Sequence, residues 1–373
     1  MTILYVFQTL ARFGGIERIS IQKMNYLATR YSYRVFALTA DQGDHPLPFS
    51  LDEAVCYEDL HIRFHQQYQY RGFRRLWTKF RLQRLFQQRL AAKLRTIHPD
   101  VIVCPASGYV ATLNHLRGNI PLIVEAHSIC SETFIFERMT LDKRLQTWWG
   151  YRNISRADLV VAITQGDADE WRRWTDRVCV VPNIVSLNPY RRLSDCTARR
   201  VVFAGRFAKE KDIPTLAAIW QRVHRQFPDW TLDIYGDGEL KDQLAPALEA
   251  MACNISVHPS TADIFQEFLN SSIVVLTSLG ESFSLVLVEA MSCGVPVVAF
   301  DCPYGPRDII TNDRDGYLIA PGDTASYSDR LCRLMADPQL RRKMGQHAAS
   351  TSQRFAADVI MPQWHEIFRR FRG

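Results

Sequence analysis

At 373 residues the chain exceeds what one hydrophobic core usually organises, so two domains of similar size are expected. With 47% hydrophobic and 23% charged residues and no low-complexity tract, it is neither a disordered arm nor a fibrous repeat. Nine cysteines without a C-x-x-C spacing argue against a disulfide framework or a zinc site and fit a reducing compartment. No apolar run approaches the roughly 20 residues of a spanning helix, so a cytoplasmic protein is expected. The net charge is +6, and residues 1–183 hold 24 basic and 17 acidic side chains, which places the whole excess in the first half.

The first strand-like run, I-L-Y-V-F (3–7), lacks the basic flank and length of a signal peptide. It leads into R-F-G-G-I-E-R (12–18), where Gly14 and Gly15 either let the backbone approach a ligand closely or form a simple helix-entry turn. Further β-rich runs follow at 33–38, 101–104, 122–126 and 159–163, alternating with helical-period segments as in a parallel sheet wrapped by helices. Between the runs at 33–38 and 101–104 lies 71–95, with nine cations and no acidic residue. Its apolar positions Phe73, Leu76, Trp77, Phe80, Leu90 and Leu94 recur at helical spacing, with Arg71, Arg74, Arg75, Lys79, Arg81, Arg84 and Arg89 around them. One reading is a packed surface helix whose long cations snorkel over its edges. The other is a helix that draws the domain onto an anionic membrane surface, each nearby cation contributing about 1 kcal/mol. The strand at 122–126 ends at His127 in V-E-A-H-S (124–128), a hydrogen-bonded structural residue or a catalytic one, with Glu125 and Ser128 beside it.

A linker is expected near V-P-N-I-V-S-L-N-P-Y (181–190), dividing the chain into 1–185 and 186–356. A second series of strand-like runs then begins, at 201–205, 231–236, 273–277 and 295–300. Doubly wound sheets bind ligands beyond the carboxyl ends of their strands, so the chemistry is sought in the loops that follow. After the first run comes G-R-F-A-K-E-K-D (205–212), where Arg206 and Lys211 could converge on phosphate oxygens or lie on solvated surface. After the second, Y-G-D-G-E (235–239) places Gly236 and Gly238 in a tight turn. After the third, G-E-S-F-S-L-V-L-V-E-A-M-S-C-G-V-P (280–296) opens a helix. Its carboxylates Glu281 and Glu289 are eight residues apart. Both helical, they would stand roughly 12 Å apart along the axis, beyond the approximately 5–9.5 Å of a glycosidase pair, so separate roles are expected. Glu281 could accept hydrogen bonds from ligand hydroxyls, with the amides of Phe283, Ser284 and Leu285 forming an anion site, and Glu289 could reach a ribose diol. The alternative is that Glu281 and Ser282 cap the helix and Glu289 is a solvated face residue. A final helix over 357–373 carries Met361, Trp364, Ile367 and Phe368 on one stripe.

The run E-S-F-S-L-V-L-V-E-A-M-S-C-G-V-P-V-V-A resembles the E-x7-E motif of the retaining family-four (group 1) glycosyltransferases. Gly205, Arg206 and Lys211 are similar to that family's G-R-x-x-x-x-K phosphate element, with Asp212 where it often has glycine. Gly236 and Gly238 resemble its loop beside the nucleotide, and C-P-Y-G-P-R-D-I-I (302–310) with N-D-R-D-G-Y-L (312–318), including a Gly316 turn before a strand, follows in the family's order. The resemblance implies a GT-B fold, that is, two Rossmann-like doubly wound α/β domains facing a central cleft, with the last helix crossing back to the first. It places Glu281 at the transferred sugar, Glu289 at the ribose, Ser282 to Leu285 around the donor, Gly14 and Gly15 at its phosphates, and His127 near the sugar and the acceptor.

The expected activity is therefore retaining transfer from a nucleotide-diphosphate sugar, held by the second domain, to a glycan or lipid-linked oligosaccharide presented by the first. Cell-surface polysaccharide synthesis is the expected setting, at the inner face of the membrane if 71–95 docks there. No cofactor is expected beyond the nucleotide sugar as co-substrate. No metal is expected, because D-R-D (313–315) lies in a turn beyond the nucleotide loops and Arg206 with Lys211 replaces a magnesium clamp. Two alternatives remain open: a nucleotide-sugar epimerase of the same fold, and a non-enzymatic basic binding protein. Docking of nucleic acid on 71–95 would leave the nucleotide-sugar motifs unexplained, so no nucleic-acid partner is expected.

Overall fold

The computed structural model describes residues 1–11, 14–105, 107–127 and 141–372. Two compact units emerge, one formed by residues 1–184 together with 360–373 and the other by residues 185–359. The first holds a seven-stranded sheet of β1 (Thr2–Phe7), β2 (Arg34–Thr39), β3 (Val55–Asp59), β4 (Val101–Cys104), β5 (Leu122–Ala126), β6 (Leu159–Ala162) and β7 (Val178–Val180). Its order is β3-β2-β1-β4-β5-β6-β7. The second holds β8 (Arg200–Ala204), β9 (Thr231–Tyr235), β10 (Ile255–His258), β11 (Ile273–Leu276), β12 (Val297–Phe300) and β13 (Gly316–Ile319), in the order β10-β9-β8-β11-β12-β13. Every strand pair is parallel. The central strands read as unbroken apolar runs because helices cover both faces; β1, β4, β5, β11 and β12 are buried along their full length. In each sheet the chain order reverses between two central strands, β1 and β4 in the first and β8 and β11 in the second, which opens a crevice at their carboxyl ends.

With the helix Gly15–Arg30 as α1, the basic segment forms α2 (Gly72–Ile97), whose buried residues are Thr78, Leu82, Phe86, Leu90 and Leu94. The single apolar stripe expected from the sequence is thus divided. Leu90 and Leu94 belong to the buried row at i, i+4 spacing, whereas Phe73, Leu76, Trp77 and Phe80 lie on the opposite side of the helix and are exposed. The last helix, Ala357–Arg370, buries Ile360, Met361, Trp364, Ile367 and Phe368, and from residue 360 onward it belongs to the first unit. The described cysteines are free thiols.

Candidate active site

In the second unit the loops after β8 and β9 cross at the carboxyl edge of the sheet. The Gly205 amide donates to the Tyr235 carbonyl at 3.0 Å and the Phe207 amide to the Asp237 carbonyl at 2.8 Å. A Cβ on Gly236 would stand 1.9 Å from the Gly205 carbonyl oxygen, and one on Gly238 2.6 Å from that of Phe207, so only glycine fits at either position. Lys241 donates to the Asp237 carboxylate at 2.7 Å, and this bond, reinforced by Ser260, holds the Asp237 carboxyl well below its ordinary range.

The same edge carries Lys211, in a single turn ahead of Asp212, which has a left-handed φ of 47° and precedes the helix Ile213–His224. Thr277 Oγ1 donates to the carbonyls of Lys211 and Asp212 at 3.1 and 3.2 Å, tying this turn to the end of β11. Lys211 Nζ forms an ion pair with Glu281 Oε1, and Ser278 Oγ donates to the same oxygen at 2.7 Å. Glu281 is not helical. Its amide donates to the Pro303 carbonyl at 2.8 Å, and its carbonyl accepts from the amides of Tyr304 and Gly305 at 2.8 and 2.9 Å. Burial, with the Glu281 charge second, pushes the nearby Cys302 thiol up to about 12. Arg206 differs: its side chain is 68% exposed and pairs with Glu210 at 2.5 Å.

The helix Leu285–Ser292 begins after Ser284, so Glu281 and Ser282 precede the cap rather than form it. Ser284 Oγ makes no capping bond and is buried without a partner among the described residues. An α-helix leaves its first amides without intrahelical acceptors, here those of Ser284, Leu285 and Val286. Phe283 anchors this entry by packing edge-on against Phe355, with ring centroids 5.4 Å apart. Glu289 is buried rather than on a solvated face. In D-R-D, Asp315 accepts from the Thr311 amide at 2.7 Å and from Thr351 at 2.8 Å, while Asp313 pairs with Arg330 at 3.3 Å, so both carboxylates brace the turn.

In the first unit His127 follows β5 and is buried. Its Nε2 stands 2.9 Å from Glu125 Oε2, and a carboxylate can only accept, so Nε2 is the donor. Lys23, from the helix Gly15–Arg30, pairs with the same oxygen at 2.5 Å and lies 3.7 Å from the centre of the Trp364 ring. Burial alone would raise the Glu125 carboxyl, but Lys23 and His127 outweigh it and bring it down to about 2. The same burial pulls the Lys23 ammonium below its ordinary value against the pull of Glu125. Gly14 precedes the first helix with φ −119°, and the only atoms near a Cβ there belong to the Glu17 side chain. Close backbone approach therefore does not require glycine at 14, and Gly15 opens the helix itself. Arg12, Phe13 and Ser128 lie outside the described residues.

Lys211, Glu281, Gly205, Gly236 and Gly238 are thus gathered at one sheet edge, with the helix entry at Ser282 to Leu285 beside them. Sequence reasoning missed Thr277 and Ser278, which tie that edge together, and Lys23, which holds Glu125. The available signal was a carboxylate inside the apolar run L-I-V-E-A, since a buried charge requires a partner.

Two parallel doubly wound units, each with a crevice at the switch point of its sheet, define the GT-B fold. The model described as Glycosyltransferase Family 4 matches residues 13–188, and that described as Glycosyl transferases group 1 matches residues 198–337. The amylovoran biosynthesis glycosyltransferase AmsD of Erwinia amylovora is 27% identical over 98% of this chain and 99% of its own length. An exopolysaccharide phosphotransferase of Streptomyces coelicolor is 35% identical, over 52% of this chain but only 21% of that protein. Among solved structures, a Staphylococcus aureus TarM mutant in complex with fondaparinux, alpha-GlcNAc-glycerol and UDP shares the fold. Its TM-score is 0.79 at 15% identity, covering 99% of this chain and 100% of that one. Anabaena HepE in complex with UDP-glucose gives a TM-score of 0.75 at 19% identity, again covering 99% and 100%. The chain belongs to the group 1 and family 4 glycosyltransferases.

Proposed function

We propose that the protein transfers a sugar, with retention of anomeric configuration, from a nucleotide-diphosphate sugar to a glycan or lipid-linked oligosaccharide during assembly of a cell-surface polysaccharide. The observation that carries this reading is the Lys211–Glu281 pair at the carboxyl edge of the second sheet, beside the open amides of the helix Leu285–Ser292. An ammonium, an exposed guanidinium at Arg206 and a helix N-terminus suit a diphosphate, and a carboxylate three residues before the cap suits sugar hydroxyls. Gly205, Gly236 and Gly238 keep the wall of the site free of side chains. Glu289 is assigned to the ribose diol, and His127, Gly14 and Gly15 to the sugar and phosphates. UDP-glucose in HepE, and the amylovoran and exopolysaccharide activities in the names of the relatives, support the substrate class.

In this mechanism the bond from the anomeric carbon to the diphosphate oxygen breaks, and Lys211 and Arg206 stabilise the charge that develops on the leaving group. The acceptor hydroxyl bonds to the same face of that carbon, and its proton passes to the departing phosphate oxygen. No metal ion or other cofactor enters. Lys211→Ala is expected to lower turnover tenfold or more with the fold intact, and EDTA to leave the wild-type rate unaltered. Wild-type turnover in the variant would overturn the phosphate assignment, and loss of activity in EDTA would overturn metal independence.

A further inference from the structure

The outer face of α2 is used by neither sheet nor core. Phe73, Leu76, Trp77 and Phe80 are 80%, 65%, 56% and 64% exposed, four large apolar side chains at i, i+3, i+4, i+7 on one face. Single exposed hydrophobics are ordinary, but a contiguous aromatic row marks a contact surface. Cations flank it, and among the described residues none of Arg71, Arg74, Arg75, Lys79, Arg81 or Arg84 has a carboxylate partner. Arg75 instead lies over the Tyr68 ring at 4.9 Å and Arg81 over Trp77 at 5.5 Å.

The row continues into a cleft of about 600 Å³ between α2 and residues 61–66, lined by His61, Arg63, Trp77, Phe80, Arg81 and Arg84 among others. The far wall is fixed. His61 and Arg63 hold left-handed φ values of 51° and 54°, the Ile62 amide donates to the Ala40 carbonyl at 2.8 Å, and Arg89 donates to the His61 carbonyl at 3.2 Å. Non-glycine residues stay in that conformation only where their surroundings hold them. Arg63 has only a loose contact with Asp44, at 3.7 Å, and His61 pairs with Asp59 at 2.9 Å. Arg81 and Arg84 thus enter the cleft uncompensated.

We infer that this face docks on an anionic phospholipid bilayer. Phe73, Leu76, Trp77 and Phe80 enter the interface, and one lipid phosphate sits in the cleft between Arg63, Arg81 and Arg84. Guanidinium forks match phosphate oxygens, an aromatic row suits the headgroup boundary, and unbalanced positive charge is attracted to an anionic leaflet. No helix among the described residues is long and apolar enough to cross a membrane, so the contact is with the surface. The inference is independent of the transfer reading and is tested without substrate.

The test is co-sedimentation of the full chain with vesicles of phosphatidylcholine alone or mixed with phosphatidylglycerol. Binding is expected to the mixed vesicles at low salt, with release at high salt and no binding to phosphatidylcholine alone. Arg81→Glu with Arg84→Glu, and separately Trp77→Ser with Phe80→Ser, are each expected to weaken binding tenfold or more at unchanged melting temperature. Arg342→Glu with Lys343→Glu, on another exposed surface, is expected to leave it unchanged. Glycerol 3-phosphate at millimolar concentration should not release the protein. Lack of binding to the anionic vesicles, equal binding by all variants, release by glycerol 3-phosphate, or retention of single-stranded RNA without vesicle binding would each overturn the inference. Should the Trp77 and Phe80 variant fail to fold, the arginine pair alone decides.

Discussion

The two units carry ion pairs of opposite character. In the first, Lys23, Glu125 and His127 lie in the interior with side chains only 2–3% exposed and a single carboxylate oxygen serving both partners. In the second, Lys211 and Glu281 are 16% and 10% exposed, and Arg206 and Glu210 stand in solvent at 68% and 43%. A dry pair is costly to break because the surviving charge is stranded, whereas a solvated pair such as Arg206–Glu210 exchanges partners at small cost; Lys211–Glu281 lies between the two. The first arrangement suits a group that must hold one orientation, His127. The second, in the transfer reading proposed above, suits groups that release a carboxylate and take up a ligand anion.

That contrast is broken most severely at Glu125. Glu125→Gln strands the Lys23 charge and is expected to cost about 3–5 kcal/mol of stability in denaturant titration. The carboxyl is held at about 2 against 4.5 when unperturbed, so its contribution is complete above about pH 4.5 and is lost as pH falls towards 2. Wild-type stability should therefore drop more steeply than that of the variant across this window, and parallel curves would show that the pair does not hold the fold. In the second unit, Glu281→Gln is expected to impair transfer more than Glu289→Gln. Each loses a charge-assisted hydrogen bond worth about 1.5–3 kcal/mol, but Glu281 is assigned to the reacting sugar and Glu289 to the nucleoside. Near-wild-type kinetics in both would remove these assignments. The smallest effect is expected at Asp212, whose left-handed φ of 47° glycine adopts without strain. Asp212→Gly should shift stability by less than about 1 kcal/mol, either way, in thermal unfolding.

The sequence made the interior of both sheets legible and left their margins obscure. The strands it did not mark, β3, β7 and β10, are all edge strands, and V-C-Y-E-D at β3 alternates less exposed with exposed positions, Val55 being the one buried residue, so its apolar content is too low to read as a strand. Within the second site, Gly205, Lys211 and the run from Glu281 stood out by residue type and spacing, and the structure gathers them at one sheet edge, whereas Arg206 turns to Glu210 in solvent. Ser278 and Thr277 were not, since a short hydroxyl declares its acceptor only in three dimensions. The helix entry lies one residue later than the sequence suggested, with the open amides at Ser284 to Val286 rather than Phe283 to Leu285, because Glu281 pairs its main chain with Tyr304, a contact 23 positions away that no local pattern carries. On α2 the periodicity was visible, but which of two apolar rows faced the sheet was not.

The last helix imposes an order on biosynthesis. Trp364 lies over the Lys23 ammonium, Tyr33 and His365 share a hydrogen bond of 2.7 Å, and Phe368 is fully buried, so the first unit is finished by side chains made after the whole of Val185–Val359. A ribosome releases every residue of the second unit before it supplies the final piece of the first. The domain that begins to emerge earlier therefore completes its core later. Until then its interior lysine lacks the aromatic ring that covers it, and a nascent chain stalled before residue 360 would present that gap to chaperones and proteases.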